Sequence, residues 1–172
     1  MAKLRIFISS TCYDLPILRS RIKAFIEDHQ LFQEDLTATS MTLSKQLLLV
    51  DAMKRAADKS INPTDELIDK IHIARKQLLA IDKELTGDKT RDEIGEKSNP
   101  TPFDGDFIGV AASQTTYGPT ENHRAAVNRA KKQLVEIKTK LNGVVKNLLP
   151  EIEQDLKKAG APWIEGQGLI KN

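Results

Sequence analysis

Val127-Asn128-Arg129-Ala130-Lys131-Lys132-Gln133-Leu134-Val135-Glu136-Ile137-Lys138-Thr139-Lys140-Leu141 decides the fold. Val127, Ala130, Leu134, Ile137 and Leu141 recur in steps of three and four, so they share one side of an α-helix, and Val144 and Leu148 carry the seam onward. A second seam answers it at Leu67, Ile71, Ala74, Leu78, Ile81 and Leu85. Two such stripes bury each other when their helices pack nearly antiparallel. Thr120 is placed to cap the first helix, which is expected over 120–148, and Pro150 to kink it or to begin a new segment through Ile152 and Leu156. Gly160 and Pro162 close it. For the other helix, expected over 65–86, Asn62 or Thr64 can cap, Pro63 suits the first turn, Asp65 and Glu66 complement the dipole, and Gly87 stops it.

Composition agrees with a helical domain. Aromatic residues make up only 5% of the 172, so the core must be aliphatic. The 26 basic and 24 acidic residues leave a net charge of +2, too small a field to hold a polynucleotide or an anionic membrane. Cys12 is the single cysteine, which excludes an intrachain disulfide and a cysteine-cluster zinc site. The apolar start is broken by Arg5 and stopped by Ser9, too short for a signal h-region, and the expected location is cytoplasmic.

Outward from the two seams the pattern changes. Leu4, Ile6 and Ile8 predict a strand over about 3–9, followed by a turn and a helix capped by Asp14 with Leu18, Ile22, Phe25 and Ile26 on one face. Gln30 to Thr39 is polar enough to predict a connector, and Leu43, Leu47, Val50, Met53 and Ala57 predict a helix over 40–59. Residues 88–118 lack a sustained period and predict a long crossing loop, with Phe103, Phe107, Ile108 and Tyr117 pinning it to the helices. The expected fold class is mainly α: an antiparallel helical bundle module over 39–166 with a short N-terminal strand-helix unit over 1–28.

Gln77-Leu78-Leu79-Ala80-Ile81-Asp82-Lys83-Glu84-Leu85, Gly118-Pro119-Thr120, Leu149-Pro150-Glu151 and Leu156-Lys157-Lys158-Ala159-Gly160-Ala161-Pro162-Trp163 carry a resemblance. Together they resemble the helical C-terminal region of sortilin-like BNR-repeat β-propeller proteins, over roughly Thr39 to Gly166. That resemblance implies an appendage that accompanies a propeller, and no activity of the propeller transfers with it. Phe7-Ile8-Ser9-Ser10-Thr11 with Asp14, Leu15 and Arg19 resembles the opening strand, loop and helix of a TIR-like bacterial domain of unknown function, over about residues 3–28.

Candidate sites are few. Ser9, Ser10 and Thr11 lie between strand and helix, where backbone N–H groups can meet a phosphate, but without the glycines of a P-loop the favoured account is ordinary turn and capping use of hydroxyl residues. His29, His72 and His123 are scattered singly, and Asp104-Gly105-Asp106 has no terminal glutamate at calcium-loop spacing, so no metal set is expected. Lys131, Lys132, Lys138, Lys140 and Lys146 make one helix basic, with Glu136, Glu151, Glu153 and Asp155 near them, the pattern of a solvated face. Trp163, Phe103 and Phe107 are candidates for a docking surface. No catalytic residue and no cofactor are expected. The favoured reading is a non-enzymatic interaction or scaffold module whose partner is another protein domain or subunit, a β-propeller being the one that the resemblance implies, with no nucleic acid and no membrane. A fragment of a TIR-like signalling or nucleotide-processing protein, and a basic-helix binder of nucleic acid or membrane, are the alternatives.

Overall fold

A computed structural model describes residues 15–96, 100–104 and 120–162. The strand expected over 3–9 lies outside them. Among the described residues the protein is mainly helical and contains no strand. Its elements are α1 (Leu15–Ala57), α2 (Asp65–Thr86), the short α3 (Lys89–Glu93), and α4 (Glu121–Gly143), which passes through a π-helical turn (Val144–Leu148) into α5 (Leu149–Lys158).

The connector expected at Gln30 to Thr39 is helix, and α1 runs through it unbroken. The reason is that the apolar seam does not lapse there. Phe25, His29, Phe32, Leu36, Thr39 and Leu43 keep the three-four step, with His29 and Thr39 taking positions that an aliphatic residue would normally hold. Thr39 is buried, and its hydroxyl donates to the Asp35 carbonyl at 2.8 Å. Thr37 and Thr42 do the same, to Gln33 and Ala38, so hydroxyls that could compete with the helix are satisfied inside it. The helix ends where Lys59 and Ser60 donate back to Ala56 and Ala57 in three-residue turns, with the Ser60 hydroxyl also on Ala57.

Thr64 caps α2, accepting the Leu67 N–H at 3.3 Å, so Pro63 stands before the cap and not in the first turn. Gly87 ends it at φ 86°, a conformation that a side chain disfavours. At α4 the cap is reciprocal. Thr120 Oγ1 accepts the His123 N–H, and His123 Nδ1 accepts the Thr120 N–H, a capping box in which histidine replaces the usual Glu or Gln.

Pro150 does not break the last helix. A proline lacks the N–H for the i→i−4 bond and crowds the carbonyl one turn back. The π-helical turn takes up both problems: the Leu149 N–H reaches Val144, five residues back, and Pro150 then sits in the first turn of α5, where no donor is needed. Gly160 closes α5 at φ 67°, with the Ala161 N–H on the Leu156 carbonyl and the Gly160 N–H on Lys157. The Asn62 N–H donates to the Ala159 carbonyl, fastening the α1–α2 turn to this end.

Interhelical ion pairs fix the directions. Asp28 meets Lys131 and Asp35 meets Lys138, both 103 residues apart, so α1 and α4 run the same way. Lys70 meets Asp155 while Glu84 meets Lys140, so α2 runs against α4 and α5. Arg75 meets Asp51 between α1 and α2. Leu43, Val50 and Met53 of α1, the six α2 seam residues, and Val127, Ala130, Leu134, Ile137, Leu141, Leu149, Ile152 and Leu156 form one buried cluster. At 43 residues and ~1.5 Å per residue α1 is about 64 Å long, roughly twice the 22-residue α2. Leu85 and Thr86 at the end of α2 come level with Leu36 to Met41 of α1. Beyond that level α1 and α4 continue together as an arm.

Candidate interaction surface

Of the expected site residues, Ser9, Ser10, Thr11, Phe107, Trp163 and also Cys12 lie outside the described residues. Phe103 is described, and it is buried. The Phe103 N–H donates to the Thr101 hydroxyl at 3.3 Å, the Asp104 N–H to the Thr101 carbonyl, and the Thr101 N–H to the Asp104 carboxylate at 2.6 Å, a tight turn that plants the ring against the cluster. Asp104 thus serves a turn. Phe103 helps line an open cleft of about 290 Å³ at the end of α2, with Leu36, Met41 and Leu85 around it. Phe103 joins the buried cluster, and being buried it offers little surface for docking.

The basic face of α4 is spent largely on its neighbours. Lys138 Nζ donates to both Asp35 oxygens at 2.8 and 2.9 Å, Lys140 to both Glu84 oxygens at 2.7 Å, and Lys131 to Asp28. These lysines register helices. At the other end Asp155 accepts from Lys70 at 2.7 Å and from Lys158 at 3.0 Å, and those bonds hold its carboxyl below the usual value. The Lys70 ammonium is raised in turn, chiefly by the Asp155 bond. Asp88, accepting from Lys83 and the Thr90 N–H beyond the end of α2, is also lowered, first by Lys83.

No group of three or more His, Cys, Asp or Glu at metal-binding distance occurs among the described residues. His123 is used in a cap, His72 is exposed, and His29 is half-buried between Phe25 and Phe32. No described helix is long and apolar enough to cross a membrane.

The residues that the sequence did not single out are the exposed apolar ones. Met41 and Thr86 line one cleft, and Asp51 meets Arg75, so the α1/α2 register is set at two points. Between those points the same register brings Leu48 and Leu79 level, and they are 69% and 41% exposed. Met41 is exposed too. A row of three large apolar side chains therefore follows the outside of the α1/α2 seam. Leu48 was hidden from sequence inspection inside Leu47-Leu48-Leu49, where three successive leucines cannot all face inward. The chain matches no family model, no curated protein and no solved structure.

Proposed function

We propose that this chain is a non-enzymatic helical interaction module, an antiparallel bundle that presents an apolar row to another protein domain. The observation that carries the reading is the row Met41, Leu48 and Leu79, bounded by the Asp51–Arg75 ion pair at one end and the Phe103 cleft at the other. Isolated exposed leucines are ordinary, whereas apolar side chains aligned along a seam and rimmed by charge are what a partner surface buries. A β-propeller is the partner class that the sequence resemblance suggests. Use of Lys131, Lys138 and Lys140 in ion pairs between helices supports a protein partner over nucleic acid, since those ammonium groups are already engaged.

The test uses the purified chain, a purified sortilin-like β-propeller domain, and the double variant Leu48→Glu, Leu79→Glu. The wild type should bind, and the variant, with unchanged helical content, should bind at least about tenfold more weakly, since hot-spot truncations cost more than ~1 kcal/mol each. Absence of binding, or binding indifferent to the two glutamates, overturns the proposal. So does turnover of glycoside, ester or nucleotide substrates that Ser10→Ala or Cys12→Ala abolishes.

A further inference from the structure

His29 is the one described residue with a buried side-chain polar atom that has no hydrogen-bond partner, its Nδ1. Its place explains why. The ring lies over Phe25, centroids 6.3 Å apart and planes within 7°, and tilts against Phe32 at 6.5 Å. It fills a seam position of α1 in the arm, and the offset of 103 set by the flanking ion pairs puts it level with the stretch from Ala130 to Leu134 of α4, both buried. A neutral imidazole can leave an acceptor nitrogen empty at modest cost, but a protonated ring must place a charged N–H donor there. The charged groups acting on it are Asp28 of its own helix and Lys131 of α4. Asp28 is ion-paired with Lys131, and neither it nor any other described group accepts a hydrogen bond from His29 Nδ1.

We propose that His29 makes the α1/α4 arm acid-sensitive, so that protonation of its ring loosens α1 from α4 between residues 25 and 36 while the three-helix part stays closed. The electrostatics point the same way. Burial pushes the imidazole below its ordinary value of 6.5, the Asp28 carboxylate pulls it up, and the Lys131 ammonium pushes it down again. A lowered folded value means that the unfolded arm takes the proton first. The arm is therefore fully stable above about pH 6.5 and loses stability as pH falls through the folded value.

Hydrogen exchange on the whole chain, corrected for its intrinsic pH dependence, reads this out between about pH 7.5 and 5, above the ordinary carboxylate range. Amides of 127–134 should lose protection in step with the His29 ring titration followed by NMR, amides of 74–81 should not, and His29→Phe should remove the pH response. His29→Leu replaces it if phenylalanine disturbs folding. The inference is overturned if arm protection persists with the ring protonated, if its loss follows a midpoint other than that of His29, or if either folded variant retains the response.

Discussion

Leu78 and Leu79 are neighbours on α2, yet Leu78 is 0% exposed and Leu79 41%. Replacing each by alanine removes the same three carbons and makes the same small change in helix propensity, so burial alone separates the two variants. At ~0.8 kcal/mol per buried CH₂ equivalent, Leu78→Ala loses about 2.4 kcal/mol of transfer energy. The hole left in the buried cluster raises the expected total to about 3 to 4 kcal/mol. Leu79→Ala, already partly in water and leaving no closed hole, should cost about 1 kcal/mol. Urea unfolding followed by circular dichroism at 222 nm gives both values from midpoints at constant slope. In heating experiments the pair should differ by roughly 4 to 12 °C, at about 2 to 4 °C per kcal/mol for a chain of this size. Costs within about 0.5 kcal/mol of each other would refute the inward assignment of the α2 seam, and with it the directions of α1 and α4 about it.

Thr64→Ala should remove about 1 kcal/mol by freeing the Leu67 N–H, and Thr64→Ser should restore most of it, both measured by urea midpoints. Pro150→Ala should change stability by less than about 1 kcal/mol, because the π-helical turn already absorbs the missing donor. Val135→Pro, on the exposed side of α4, should cost about 3 kcal/mol or more. Asp155→Asn should flatten the acid limb of the stability profile. The lowered Asp155 carboxyl stabilises the fold above its unfolded value of 3.8, and that contribution is lost as pH falls through the folded value, so wild type and variant should converge in strong acid. At the alkaline end the raised Lys70 contributes below its unfolded 10.5 and ceases to do so as pH climbs through its folded value.

The α2 and α4 helices were legible because every seam position in them is aliphatic, from Leu67 to Leu85 and from Val127 to Leu141. The middle of α1 was not, because the seam there passes through His29 and Thr39, whose polarity hides the period although the spacing is intact. Pro150 signalled a disturbance correctly, but a proline in the sequence does not tell that a bond from Leu149 to Val144 resolves it. The pairing of α1 with α4 was also beyond a local pattern, since it needs the full length of α1 to bring Asp28 opposite Lys131. At the surface, Phe103 looked like a docking aromatic because composition cannot say which side of a turn is wet. Leu48 and Leu79 became visible only once a register was known.

The 103-residue separation of the Asp28–Lys131 and Asp35–Lys138 pairs has a kinetic consequence. The α1/α2 hairpin brings Asp51 to Arg75 across only 24 residues, so its loop closes at smaller entropic cost, by about 1.3 kcal/mol on the logarithmic scaling of closure with length. The hairpin is therefore expected to form early, with the arm zipping last on the surface it provides. Weakening an arm ion pair should then speed unfolding and leave the folding rate nearly untouched, whereas a cavity at Leu78 should slow folding itself. A protease acting on the native chain would meet the arm open more often than the hairpin, and the first cuts would fall toward the start of α4.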